Sequence, residues 1–149
     1  MILKSRAESE ELKIFRYLYR RLKLSEKDVN RFWNLEKGFS GELQFDRMLQ
    51  EGPSDWIILN GLLLESNNTM FQIDTLLIAG GTIYVFEVKN YEGDYYIENE
   101  RWYSLLSKSE IKNPLLQLQR SETLLRGLLK ELGFNLIIKS HLVFINPCF

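Results

Sequence analysis

The segment from Gln72 to Asn90, QIDTLLIAGGTIYVFEVKN, constrains the fold of this chain more than any other. Two runs rich in Ile, Leu, Val, Tyr and Phe flank Gly80-Gly81, a pattern that predicts a β-hairpin with a two-residue turn. Its arms also carry Asp74 on one side, and Glu87 and Lys89 on the other, among residues that belong in a core. The segment therefore predicts a sheet with an ionisable cluster inside it.

The two-residue turn also predicts the register of the hairpin, because side chains along a strand alternate between the two faces of a sheet. Counting outward from the glycines, Asp74 faces Glu87 and Gln72 faces Lys89, on a face that is apolar near the turn. A register slipped by one residue would move Asp74 to the other face. The pairs predicted nearer the turn are Ala79–Thr82, Ile78–Ile83 and Leu76–Val85.

Two carboxylates opposed on a half-buried face repel each other. The pairing of Asp74 with Glu87 is therefore unfavourable unless something reduces this repulsion. A shared proton, a nearby cation such as Lys89 or a bound metal ion would each reduce the repulsion. Carboxylate oxygens suit Mg²⁺, which commonly bridges to phosphate oxygens. Carboxylates, a divalent ion and a lysine are the parts needed for metal-assisted phosphodiester hydrolysis; the alternative is a salt-bridged polar end of a strand pair.

The chain before the hairpin has the periodicity of helices. Apolar residues at helical spacing predict a first helix from about Ala7 to Leu24. Ser25 resembles the cap of a second helix, which we expect Gly38 to interrupt. A third helical stretch is predicted from about Gly41 to Gln50, before the sequence EGPSD breaks the chain.

The rest of the chain predicts strands, one long helix and a final strand. A further short hairpin is predicted around DYYIE and RWYSLLS. Asn113 as cap, Pro114 in the first turn and Gly133 as the stop delimit the helix. This order suggests an α/β fold with a mixed sheet flanked by helices. The strands are predicted at Trp56–Leu64, Phe71–Ala79, Thr82–Asn90 and Leu136–Asn146.

Six blocks follow one another along the chain: GFSGE (Gly38–Glu42), QID (Gln72–Asp74), FEVKNYEG (Phe86–Gly93), Trp102, NPLLQ (Asn113–Gln117) and LVFINP (Leu142–Pro147). In this order and spacing they resemble the nuclease-related domain (NERD) family, which is placed in the PD-(D/E)XK nuclease superfamily. The resemblance implies a restriction-endonuclease-like αβββαβ core. The resemblance covers about Gly38 to Pro147 and leaves the first 37 residues outside it, with their role open. We therefore divide the chain into an N-terminal helical extension, residues 1–37, and a nuclease-like domain, residues 38–149.

Carried over residue by residue, the resemblance implies roles for five side chains. Asp74 and Glu87 correspond to the metal-binding carboxylates, and Lys89 to the active-site lysine. Glu42 corresponds to an additional acidic residue that completes the metal site or orients a water. Gln117 corresponds to a glutamine that points towards the site. The implied cofactor is Mg²⁺ or Mn²⁺.

The net charge of −1 gives no general attraction to nucleic acid, so any basic surface must be local. Lys13, Arg16, Arg20 and Lys23 form such a stripe on the first predicted helix, where they would contact a phosphate backbone. A solvated helix face would have the same composition. A single cysteine, Cys148, and the lack of a membrane-length apolar run predict a cytoplasmic location without membrane association.

The function predicted from these features is metal-dependent hydrolysis of phosphodiester bonds in nucleic acid, with DNA the expected substrate and water the nucleophile. One alternative is a domain that keeps the nuclease fold and binds nucleic acid or a partner without turnover. A second is a scaffold for a partner domain that would follow Phe149, since the chain ends directly after its last predicted strand.

Overall fold

The structure is a computed structural model that describes residues 1–149. It contains three helices and eight strands. In chain order these are β1 (Ile2–Lys4), α1 (Glu10–Tyr19), α2 (Glu26–Gln50), β2 (Ile57–Ser66), β3 (Thr69–Ala79), β4 (Thr82–Lys89), β5 (Tyr95–Glu98), β6 (Arg101–Ser104), β7 (Glu110–Ile111), α3 (Pro114–Glu131) and β8 (Ile137–Phe144).

The main sheet has five strands in the order β1-β2-β3-β4-β8. Strands β2, β3 and β4 are antiparallel neighbours, whereas β1 runs parallel to β2 and β8 runs parallel to β4. A separate three-stranded sheet, β5-β6-β7, lies in the connection between β4 and α3. The succession α2, β2, β3, β4, α3, β8 is the predicted αβββαβ order, and the predicted mixed α/β fold is confirmed.

The hairpin of β3 and β4 has the register predicted from its turn. Ala79 pairs with Thr82, Ile78 with Ile83 and Leu76 with Val85. Both glycines of the turn have positive φ, 55° at Gly80 and 74° at Gly81, as a tight hairpin turn requires. The ladder ends at the pair Thr75–Phe86, so the strands separate before they reach Asp74 and Glu87.

Helices pack on both faces of the main sheet, because alternate residues of β4 point in opposite directions. On one face, Val85 belongs to the main core, which α3 completes with Leu118 and Leu125. On the other face, Val88 packs with Phe45 of α2. β4 therefore lies between α2 and α3.

The helices before the sheet differ from the prediction in two ways. α1 is shorter than predicted, beginning after its cap Ser9 and ending at Tyr19. The break expected at Gly38 was wrong: α2 runs without interruption from Glu26 to Gln50, and crosses the boundary drawn between residues 37 and 38. A glycine inside a helix costs only about 1 kcal/mol, and buried Phe32 and Phe45 hold the helix on either side of it.

The later helix has the predicted ends. Asn113 caps α3, Pro114 is its first residue, and Gly133 follows its last turn with a φ of 82°. None of the three helices combines the length and apolar character needed to cross a membrane.

Candidate active site

The five side chains to which the sequence assigns catalytic roles line a single cavity. Its volume is about 560 Å³, and it opens where β3 and β4 separate. α2, β3, β4 and α3 each contribute to the wall. The five residues are Glu42, Asp74, Glu87, Lys89 and Gln117.

Asp74 occupies the fork between the two strands. It is only 8% exposed, and its Oδ2 accepts a hydrogen bond of 3.0 Å from the backbone N–H of Val88. The Asp74 side chain thus forms a hydrogen bond between β3 and β4 just beyond the last backbone pair, Thr75–Phe86. Burial raises the pKa of Asp74 above its usual value, against the opposing effects of this hydrogen bond and of the nearby Lys89 charge.

Glu87 is held by two neighbours and is only 3% exposed. Its Oε1 accepts a hydrogen bond from Lys89 Nζ at 2.7 Å and another from Gln117 Nε2 at 2.5 Å. Lys89 Nζ also donates to Gln117 Oε1 at 3.3 Å, which closes a triangle. Burial, and then the charge of Asp74, raise the pKa of Glu87. Burial alone would lower the pKa of Lys89, but the Glu87 carboxylate raises it above its usual value.

The position at which α3 begins places Gln117 beside Glu87 and Lys89. The Asn113 side-chain oxygen accepts hydrogen bonds from the N–H groups of Leu115 and Leu116, at 3.0 and 3.4 Å. The cap therefore fixes where the helix begins, and with it the direction of a side chain in its first turns.

Glu42 reaches the cavity because α2 approaches the end of β4 closely. A Cβ at the preceding residue, Gly41, would lie 2.7 Å from Asn90 Cβ and 2.9 Å from Ile145 Cγ2, so only glycine fits there. Burial, together with the charge of Asp74, raises the pKa of Glu42 to about 7.

Two residues that sequence reasoning missed complete the surroundings of Glu42. Arg6 donates from Nη1 to Glu42 Oε2 at 2.7 Å, and from Nε and Nη2 to the two oxygens of Asp46 at 2.8 and 2.9 Å. Its Nη2 also donates to Thr75 Oγ1 at 2.8 Å. Asp46 could have been found from its spacing, since it lies four residues after Glu42 on the same helix face.

We call these charged residues the acidic centre; they are Glu42, Asp46, Asp74 and Glu87 with Arg6 and Lys89. With every group ionised, four carboxylates and two cations leave two negative charges in excess. One divalent cation would balance them. The charge of the acidic centre therefore suits such an ion.

The oxygens of the acidic centre also suit a hard cation. Glu42, Asp74 and Glu87 each accept the hydrogen bonds described above through one carboxylate oxygen. The second oxygen of each carboxylate takes no part in those hydrogen bonds. No group of three or more Asp, Glu, His or Cys side chains is arranged to hold an ion. Mg²⁺ is often bound by one or two carboxylates, with water and substrate phosphate as its other ligands. The residues fit such an ion with Asp74 and Glu87 as ligands and Glu42 beside them.

The basic stripe predicted near the N-terminus is not a free helix face. Arg16 is bonded to Glu8 and Glu36, and we call these three residues the surface cluster. Lys13 pairs with Glu10 at 2.7 Å. The placement of all four cations on one helix was wrong, because α1 ends at Tyr19; Arg20 and Lys23 are exposed beyond it.

Comparison with known families gives one match: the model of the nuclease-related domain (NERD) fits residues 37–145. This range contains the five cavity residues and excludes Arg6. Comparisons with curated proteins and with solved structures give no match.

Proposed function

This chain belongs to the nuclease-related domain family, and from that premise we propose that it is a metal-dependent nuclease that hydrolyses phosphodiester bonds, with DNA the expected substrate. The observation that carries the proposal is the buried pair of Asp74 and Glu87, with Lys89 and Gln117 beside it, at the wall of an open cavity. Burying these carboxylates raises their pKa and costs stability, which is typical of a site kept for chemistry.

In this proposal Asp74 and Glu87 hold Mg²⁺ or Mn²⁺, and Glu42 supports the ion or orients the attacking water. A bound divalent ion supplies a water of lowered pKa and positive charge opposite the phosphate oxygens. Asp74 is oriented for this role by its bond to the Val88 N–H, and Glu87 by its bond to Gln117.

Lys89 balances the negative charge that develops on the phosphate. Its amine donates a hydrogen bond to Glu87, and the side chain is 18% exposed and lines the cavity. A phosphate oxygen entering the cavity would compete for that amine, because a lysine offers three donors. Gln117 would then keep Glu87 in place while Lys89 turns towards the substrate.

One observation favours a second candidate, a binding module without turnover. Glu87, Lys89 and Gln117 form a closed set of hydrogen bonds among their own side chains. A domain of this kind would bind nucleic acid in the same cavity but would gain no stability from Mg²⁺.

Melting curves with Mg²⁺ and with EDTA separate the two candidates. Mg²⁺ at about 100 times its dissociation constant should stabilise the parent protein by roughly 2.7 kcal/mol. Asp74→Asn should abolish this shift and the hydrolysis, while the EDTA form keeps or gains stability, because one of the repelling charges is gone and the amide oxygen still accepts from Val88. Asp55→Asn, at an exposed aspartate outside the cavity, is the matched control and should behave as the parent.

The substrate is tested with single- and double-stranded DNA and RNA, each with Mg²⁺, Mn²⁺ or EDTA. Metal-dependent cleavage that Asp74→Asn abolishes supports the nuclease. A parent protein that no divalent ion stabilises, and that binds nucleic acid equally well after Asp74→Asn, would be a binding module.

A further inference from the structure

Arg6 lies in the N-terminal segment that the family match leaves out, since the match begins at residue 37. That segment is fixed to the sheet by β1, which pairs with β2 in parallel. Lys4 Nζ adds hydrogen bonds to the carbonyl oxygens of Asn60 and Gly61, at 2.6 and 2.7 Å. The segment therefore carries Arg6 to a defined place beside α2.

All three guanidinium nitrogens of Arg6 donate hydrogen bonds within the protein. Its three nitrogens make four hydrogen bonds to Glu42, Asp46 and Thr75, and its side chain is only 3% exposed. It lines a neighbouring cavity of about 520 Å³, which shares Glu42 with the active-site cavity. Arg6 is not part of the wall of the active-site cavity. It can act on a substrate or a metal ion only through the residues that it holds.

Those residues are the buried Asp46, the partly buried Glu42 one helical turn before it, and Thr75, the neighbour of Asp74 in β3. Without a cation between them, the carboxylates of Glu42 and Asp46 would repel each other, because they lie one turn apart on the same helix face. A planar guanidinium binds both oxygens of Asp46 through two nitrogens while its third nitrogen binds Glu42, a fixed geometry that the single nitrogen of an ammonium cannot reproduce. By engaging only Oε2 of Glu42, Arg6 leaves Oε1 outside the pair.

We propose that Arg6 is a positioning residue of the metal centre, which fixes Glu42 and the Thr75–Asp74 segment for a divalent cation. This inference rests on the proposed function, because it assumes that the carboxylates bind a metal ion. It makes the N-terminal segment part of the active site, although the family match begins at residue 37.

Two substitutions distinguish positioning from a simple effect of charge. Arg6→Lys keeps the positive charge but cannot form the planar contact with both carboxylates. If only charge mattered, this variant would bind Mg²⁺ as the parent does. Arg6→Gln removes the charge, and if only charge mattered it would bind Mg²⁺ more tightly, because the excess of negative charge grows. Positioning predicts weaker binding in both variants.

The test is calorimetric titration of Mg²⁺ into the full chain, without nucleic acid, together with melting curves in EDTA. We expect both variants to bind Mg²⁺ at least about tenfold more weakly, and to lower kcat more than they raise KM. Arg31→Gln, which breaks the exposed pair with Glu11, is the control and should match the parent. If Arg6→Gln does not fold, Arg6→Gln with Asp46→Asn replaces it, since the second change removes the unbalanced carboxylate.

Mg²⁺ affinity that is unchanged in Arg6→Lys, or increased in the Gln variant, would overturn the inference and leave the proposed nuclease intact. A parent protein that binds no divalent ion would overturn both. The two failures are therefore distinguishable in one set of titrations.

Discussion

The acidic centre and the surface cluster are both groups of acidic and basic side chains, but they differ in burial. In the surface cluster the three side chains are 25–35% exposed. Water therefore stabilises these charges in addition to the ion pairs between them. In the acidic centre Asp46, Asp74 and Glu87 are each less than 9% exposed, and the negative charges outnumber the positive ones. The surface cluster keeps its charges partly in water, whereas burial in the acidic centre raises the pKa of Asp74 and of Glu87 and costs stability.

Burial and unbalanced charge together separate a functional cluster from an ordinary surface ion pair. Exposed ion pairs contribute little to stability and are common on any protein surface. A buried cluster with unbalanced charge is costly, and a fold keeps it where it binds or transforms something.

The first experiment compares Lys89→Met with Arg16→Met. Lys89→Met leaves Glu87 buried beside Gln117 alone, and should lower the free energy of unfolding in EDTA by roughly 2 kcal/mol at pH 8. Arg16→Met removes an exposed partner and should lower the melting temperature much less. Lys89→Met should also reduce hydrolysis by at least about 100-fold, because it removes a cation opposite the developing charge. Equal losses of stability in the two variants would contradict the role given to burial.

The second experiment follows the stability of the metal-free protein with pH. The pKa of Glu42 rises from 4.5 to about 7 on folding, so the folded state binds a proton that the unfolded chain has released between these values. The free energy of unfolding in EDTA should therefore fall as the pH rises from about 5 to 8, by on the order of 2–3 kcal/mol. The raised pKa values of Asp74 and Glu87 act in the same direction.

Saturating Mg²⁺ should remove most of that fall, because it compensates the ionised carboxylates. Glu42→Gln should flatten the curve in EDTA, since the variant has no proton to release at that position. Stability that rises with pH in EDTA would show that the acidic centre is balanced in the folded protein.

The smallest expected effect concerns binding of DNA near the N-terminus. We expect Arg20→Ala to reduce the slope of log affinity against log salt by about 1, as for one lost phosphate contact. Arg16→Ala should leave the slope at the parental value, because Glu8 and Glu36 already neutralise Arg16. Binding is measured in EDTA, which prevents cleavage. A slope reduced by Arg16→Ala alone would place the surface cluster at the nucleic-acid interface.

Local features of the fold could be predicted from the sequence. The register of the hairpin follows from two glycines and the alternation of its arms, and the ends of α3 follow from Asn113, Pro114 and Gly133. The break at Gly38 was wrong, because local propensity was outweighed by burial along α2. The three residues of β1 are too few to show a strand period.

The candidate site was predictable where its residues lie in the hairpin or in motif blocks, and the structure brings those five side chains to one cavity. The register placed Asp74 opposite Glu87, but the ladder ends one pair earlier and Asp74 bonds to Val88 instead. Arg6 could not be predicted, because its partners are 36, 40 and 69 residues away and no local pattern connects them.

The bond from the Val88 N–H to Asp74 has a consequence for the evolution of this site. It gives Asp74 a structural role in the sheet, so relatives without nuclease activity can still retain Asp, or carry Asn, at this position. Glu87, Lys89 and Gln117 bond through their side chains only to one another. In relatives without nuclease activity we expect these three residues to be substituted before Asp74. Their joint presence is therefore a better indicator of an active relative than Asp74 alone.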